Sequence, residues 1–265
     1  MSHLTAWDRI CIARSQNRPK SKDILPKLFD EIIELYGDRC YGDDAALIGA
    51  IGRFEGMPVT ILAQSKGRDL QENLACNFGM MNPEGYRKAM RLAKQAEKFH
   101  RPVITIIDTA GAFPGKGAEE RGQAEAIASS LKMFATLQTP VIAIVLSEGG
   151  SGGALALSVA DRIYMMENAV YSILSCEGFA SILWKDETRA KEAAELMECT
   201  AMDLAKKGII DGIIMEPEGG FDHQSDDVYG QIRSIIRREL AILTKIRVKN
   251  LVQQRYEKFR AMGNV

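Results

Sequence analysis

The sequence predicts an α/β fold built on a largely parallel sheet, from three observations. Residues 103–107 and 141–146 are unbroken apolar runs bounded by turn residues, the pattern of strands buried on both faces. Each run leads into a glycine-rich segment and then a helical pattern, so strand, turn and helix repeat in that order. With 265 residues, 46 % of them hydrophobic, the chain can bury one large core. A single domain over 1–265 is expected, with a short N-terminal helical segment at about 1–40 and a long C-terminal helix at about 227–260.

The elements follow in chain order. Trp7, Ile10 and Ile12 ahead of Pro19 read as a short helix and a turn. Ile24, Leu28, Ile32 and Leu35 recur every three or four residues, and Gly37 follows where a left-handed cap belongs, which predicts an amphipathic helix over 24–36. Residues 46–54 and 58–64 are β-rich and separated by Glu55-Gly56-Met57, a hairpin signature. Asn82 and Pro83 suit the cap and first position of a helix reaching Phe99, and His100-Arg101-Pro102 stops it. Further on come a helix over 152–160, strands over 162–166 and 170–174, helices over 187–198 and 201–207, and a short strand at 213–215. From 227 to 259, Ile232, Ile235, Ile236, Leu243 and Ile246 predict an amphipathic helix with room for one break.

Charge and cysteine usage narrow the function classes. Thirty-four basic against 35 acidic residues leave a net charge of −1, so no global field attracts a polyphosphate. Five scattered cysteines without a C-x-x-C pair suggest neither a disulfide framework nor a zinc knuckle, and fit a reducing, cytoplasmic setting. Met1-Ser2-His3-Leu4 lacks an apolar signal core, and no apolar run approaches the ~20 residues of a membrane span. Nine basic residues between Arg233 and Arg260 could face RNA or simply water; without interleaved aromatics, nucleic acid is disfavoured.

The two glycine-rich segments carry the chemistry, because parallel sheets place sites at the carboxyl ends of their strands. In the first, Gly111, Ala112 and Phe113 precede Pro114, Gly115 and Lys116; small residues there let backbone amides approach an anion, or merely permit a tight turn. It fails as a phosphate loop, since Gly111 and Gly115 are too close for Walker A spacing and Gly117 follows Lys116. In the second, Gly149, Gly150, Gly152 and Gly153 surround Ser151, leaving amides unobstructed as an oxyanion hole requires, or allowing close packing of helix on sheet. Gly149-x-Ser151-x-Gly153 also matches a hydrolase nucleophile elbow, which would need His3, His100 or His223 as its base. Lys116, Arg121 and Arg68 are candidates to hold a carboxylate, and equally candidates for solvated surface charge.

Taken in order, Gly42-Asp43-Asp44, Lys66-Gly67-Arg68-Asp69, Asn77-Phe78-Gly79-Met80, Pro83-Glu84-Gly85-Tyr86-Arg87-Lys88-Ala89, residues 108–122, Glu148-Gly149-Gly150-Ser151-Gly152-Gly153 and Ala180-Ser181-Ile182-Leu183-Trp184-Lys185 resemble the bacterial-type acetyl-CoA carboxylase carboxyltransferase alpha-subunit family over nearly the whole chain. The resemblance implies a crotonase-like (ClpP/crotonase) ββα superhelix with flanking helices. It implies partnership with a carboxyltransferase beta subunit as α2β2, beside biotin carboxylase and the biotin carboxyl carrier protein. The reaction implied is carboxyl transfer from carboxybiotin to the CoA thioester acetyl-CoA, giving malonyl-CoA for fatty acid synthesis, with zinc on the beta subunit and none here. Gly152 and Gly153 are implied as oxyanion amides, with Gly149 and Gly150 shaping the turn. Members often have a longer N-terminal helical extension, and Ala110 and Phe113 stand where proline and tyrosine are usual, which leaves this turn less rigid. A stand-alone crotonase-type hydratase, a serine hydrolase and an RNA-binding module remain as rival readings.

Overall fold

The computed structural model describes residues 4–263. Helix α1 (Ala6–Ala13) opens on a reciprocal cap between Thr5 and Asp8, and α2 (Ser21–Leu28) follows. The helix expected over 24–36 is not formed. Pro26 lies in the last turn of α2, Phe29 is already extended, and Asp30–Glu34 form strand β1. Ile32 and Ile33, β-branched, sit in that strand, and Gly37 takes its positive φ of 77° in the loop that follows. Strand β2 (Leu47–Phe54) pairs antiparallel with β1 on one side and with β3 (Met57–Gln64) on the other. The hairpin turn is only Glu55-Gly56, both at positive φ, the geometry that matches strand twist.

A short helix α3 (Leu70–Ala75) precedes α4 (Pro83–Lys98), which begins at Asn82 as expected and packs beneath β2 and β3. Strand β4 (Val103–Thr109) is buried along its whole length. It leads through residues 110–115 to α5 (Lys116–Glu120) and α6 (Gln123–Thr136). Strand β5 (Val141–Gly150) then runs without a loop into α7 (Ser151–Ser158), so the second glycine segment is half strand and half helix. Strands β6 (Arg162–Met166), β7 (Val170–Ser172) and β8 (Gly212–Ile214) complete a sheet of eight strands among the described residues, seven in the order β1-β2-β3-β4-β5-β6-β8 and β7 paired to β5 off that path. From β3 onward all neighbours are parallel.

One strand serves two partners. Ile142–Val145 of β5 pair with β6, whereas Glu148–Gly150 pair with β7, so the sheet turns where the glycines begin. Helices α8 (Cys176–Trp184) and α9 (Ala190–Met197) cover that corner with a core of their own around Ile10, Ala180 and Ala194, while α10 (Ala201–Lys206) packs Ala201 and Leu204 into the main core. The C-terminal helical region is two helices, α11 (Asp226–Leu243) and α12 (Val248–Ala261), broken near Lys245. Arg255, 1 % exposed, locks α12 down by bonding Asp161 and the carbonyls of Phe134, Leu137 and Thr139.

Candidate functional site

The carboxyl ends of β4 and β5 meet at one place. A Cβ on Gly150 would fall 2.1 Å from the Ala110 carbonyl oxygen, and one on Gly153 would fall 2.5 Å from the Gly111 carbonyl carbon. The absence of side chains at Gly150 and Gly153 is therefore what lets the 110–112 turn rest on the start of α7. At Gly149 the corresponding space is taken by the Tyr171 ring, whereas a Cβ on Gly152 would meet only Ile127 at an ordinary 3.4 Å.

The amides of α7's first turn have no carbonyl partner within the helix, and no side chain among the described residues caps it. Gly152, half-buried, and exposed Ser151 lie at the edge of an apolar groove of about 580 Å³, walled by Leu155, Leu174, Phe179 and Met197. In the facing turn the Gly111 amide donates to Thr109 Oγ1 and the Phe113 amide to the Met81 carbonyl, so both are engaged within the fold. Gln123 pins this turn by donating to the carbonyls of Met81 and Phe113. Ala112, half-buried, abuts Gly153.

Beside the glycines runs a chain of charges, of which sequence reasoning offered only the segment Lys66-Gly67-Arg68-Asp69 as a possible carboxylate holder and missed the partners of Lys66. Lys66 Nζ lies 3.0 Å from Asp108 and 2.6 Å from Glu148, and Arg14 bridges Glu148 at 2.7 Å to Glu177 at 2.6 Å. Burial alone would raise the Glu148 carboxyl, but Lys66 and Arg14 overcome it and hold the group at about 2. Asp108 Oδ2 is buried with no hydrogen-bond partner among the described residues. The only hint in the sequence is position, since Asp108 and Glu148 occupy the ends of the two buried strands.

The three basic candidates part company. Arg68 lines a polar cavity of about 360 Å³ with Arg14, Lys20, Lys66 and Glu148, while its guanidinium pairs with Asp23 at 2.7 Å. Arg121 is engaged within the fold. It forks onto Glu84 at 2.7 and 3.2 Å, donates to the Gly117 carbonyl and stacks on Tyr41. Lys116 projects into solvent, 90 % exposed, with Glu120 as its ion-pair partner at 3.4 Å. Arg121 and Lys116 are thus not gathered at the glycine junction.

Two rival readings lose support. Ser151 sits at the strand-to-helix junction with φ of 51°, as an elbow serine would. Yet no hydrogen bond joins it to a histidine among the described residues; His223 is exposed in a loop, and His3 lies outside the described residues. Of the nine basic residues from Arg233 to Arg260, Arg233 and Arg237 pair with Glu55, Arg238 with Glu239, Arg255 with Asp161 and Lys258 with Asp211, which removes most of the apparent basic face. No helix of the described residues is long and apolar enough to cross a membrane.

Comparison with known proteins supplies the chemical context. A family described as acetyl co-enzyme A carboxylase carboxyltransferase-like matches residues 1–263. The acetyl-coenzyme A carboxylase carboxyl transferase subunit alpha of Geobacillus kaustophilus is 53 % identical over 264 residues, covering 100 % of this chain and 81 % of the relative. That of Clostridium acetobutylicum is 53 % identical over 260 residues, covering 98 % and 95 %. Among solved structures, transcarboxylase 12S with methylmalonyl-coenzyme A bound superposes with a TM-score of 0.70 at 21 % identity, over 85 % of this chain and 42 % of that one. A Pseudomonas malonate decarboxylase hetero-tetramer in complex with coenzyme A gives 0.66 at 18 %, over 81 % and 86 %. At these identities the two structures establish a shared fold.

Proposed function

The chain belongs to the family of acetyl-CoA carboxylase carboxyltransferase alpha subunits, and on that premise we propose that the start of α7 is its oxyanion site in carboxyl transfer to acetyl-CoA. Carboxybiotin, presented by the biotin carboxyl carrier protein, supplies the carboxyl group, and negative charge gathers on its ring carbonyl oxygen as that group departs. The observation that carries the reading is a helix start without a side-chain cap, with Gly152 at the edge of an apolar groove and Gly153 just behind it. The groove's hydrophobic walls suit a compact ring system, and the positive end of the helix suits the charge.

In this reading the Gly152 and Gly153 amides donate to the developing oxyanion, and Gly149 and Gly150 give the strand its close approach to Tyr171 and Ala110. Gly111, Ala112 and Phe113 act as a floor that fixes α7, since the Gly111 and Phe113 amides already have partners. Arg68, at the rim of the polar cavity, is the remaining basic candidate for a substrate carboxylate. The chain works with a beta subunit, as α2β2, that contributes the acyl-CoA contacts and carries zinc, and biotin carboxylase recharges the carrier.

Gly152→Pro removes one donor, and losing one such donor costs about 2.7–4 kcal/mol of transition-state stabilisation. With beta subunit, charged carrier and acetyl-CoA present, malonyl-CoA formation should fall about a hundredfold or more. Gly152→Ala, which keeps the amide and adds a methyl at ordinary contact distance, should retain turnover. A folded, assembled Gly152→Pro enzyme with full turnover would sink the proposal.

A further inference from the structure

A pair of thiols lies behind the glycine junction. Cys176, the first residue of α8, and Cys199, just after α9, are each 3 % exposed. Both line one small cavity together with Arg14, Ala110 and Glu148. Both also belong to one buried cluster with Ile10, Val170 and Ala194, in which α8 packs against α9. Among the other cysteines, Cys11 and Cys40 are exposed and Cys76 is buried.

The two sulfurs are not equivalent. Cys176 follows the Ser175 cap, at the positive end of a nine-residue helix, and interaction with Cys199 holds its thiol below the usual value. The same interaction, with burial, pushes the Cys199 thiol up. A thiol at the start of a helix is the readier nucleophile, so the attack is assigned to Cys176 and the resolving step to Cys199.

Their attachments reach the glycines. The Cys199 carbonyl accepts the Tyr171 N–H at 3.0 Å, the Tyr171 ring fills the space a Cβ on Gly149 would need, and its hydroxyl meets Ser158 Oγ at 2.6 Å at the far end of α7. Leu174, two residues before Cys176, and Met197, two before Cys199, both line the apolar groove.

We propose that Cys176 and Cys199 form a reversible intrachain disulfide under peroxide, and that this bond shifts the groove and the glycine junction out of their working geometry. The Cys176 thiolate attacks a peroxide oxygen, breaking the O–O bond to leave a sulfenic acid; the displaced hydroxide takes up a proton and departs as water. Cys199 sulfur then attacks the Cys176 sulfur, and the sulfenic hydroxyl leaves with the Cys199 proton as a second water. Two thiols and one hydrogen peroxide thus give one disulfide and two waters, and a dithiol reductant reverses the bond. The sulfurs must close to about 2.05 Å, which draws the start of α8 toward the end of α9. The effect on turnover rests on the groove's role proposed above; the bond itself does not.

The full chain is exposed to hydrogen peroxide, digested without reduction and analysed by mass spectrometry, and the oxidised chain is assayed with beta subunit and charged carrier. Because misplacing reacting groups by about 1 Å can cost about a hundredfold in rate, turnover should fall by about tenfold or more. A linked peptide containing Cys176 and Cys199 should accompany the loss, and dithiothreitol should reverse both. Cys199→Ala and, independently, Cys176→Ser should lack the peptide and keep their turnover under peroxide, with melting curves confirming that each is folded. Absence of the linked peptide while Cys11 and Cys40 oxidise would overturn the disulfide, whatever the activity. A linked peptide with unchanged turnover would overturn the control of the site.

Discussion

A methyl group on residue 153 has no room. Its carbon would lie 2.5 Å from the Gly111 carbonyl carbon and 2.7 Å from the Ala112 nitrogen, where ordinary contact begins at 3.4 Å. Both obstacles are backbone, so neither can swing aside. Gly153→Ala must push the 110–112 turn and the start of α7 apart by about 0.9 Å to restore contact distance. Alanine keeps its amide hydrogen, so a loss of function would report spacing and not a missing donor. Overpacking of this kind costs about 1–3 kcal/mol of stability, and a displacement near 1 Å at a reacting centre can cost about a hundredfold in rate. Urea denaturation of the purified chain gives the first quantity, and malonyl-CoA formation with beta subunit and charged carrier gives the second. Gly152→Ala is the matched control, because its added carbon meets Ile127 Cγ2 at 3.4 Å. If Gly153→Ala matched the parent in both measurements, the contact between the two turns would not matter and the reasoning would fail.

Arg255→Met leaves Asp161 buried without its cation and should lower stability by about 3–5 kcal/mol, read as a lower urea midpoint; an unchanged midpoint would mean that α12 is not anchored through this pair. The Glu148 carboxyl, held at about 2 against an ordinary 4.5, stabilises the fold fully above pH ~4.5, and that contribution is lost as pH falls toward 2. Melting temperature should therefore drop more steeply across that window in the parent than in Glu148→Gln, and parallel curves would refute the assignment. Ser151→Ala should cost little turnover, and the parent should resist fluorophosphonate labelling; labelled Ser151 would restore the hydrolase reading.

The centre of the sheet is legible in the sequence because its cause is local to each strand. Residues 103–107 and 141–146 are apolar on both faces, and only a strand covered on both sides satisfies that pattern. The α4 helix is equally plain, since Asn82 and Pro83 fix its start and Tyr86, Ala93 and Ala96, read as one face, are buried, with Met90 of that face half-buried. The misread stretch is instructive: Ile24 and Leu28 do lie on a helix, but Ile32 continues the same spacing inside a strand. What decides it is pairing with β2, whose residues lie far along the chain, and Pro26, which weakens the helix just where the edge strand begins.

The same division holds at the candidate site. By itself the sequence determined which backbone is bare, because glycine at 149, 150, 152 and 153 is a property of the residues and not of their neighbours. It also determined the family, since the motifs recur in order along nearly the whole chain. Only the tertiary structure decided which charges are free: Arg121 meets Glu84 from 37 residues away, and Lys66 meets Glu148 from 82. Charge pairing depends on distances that folding sets between remote residues, whereas strand burial and bare peptide amides are written into consecutive ones.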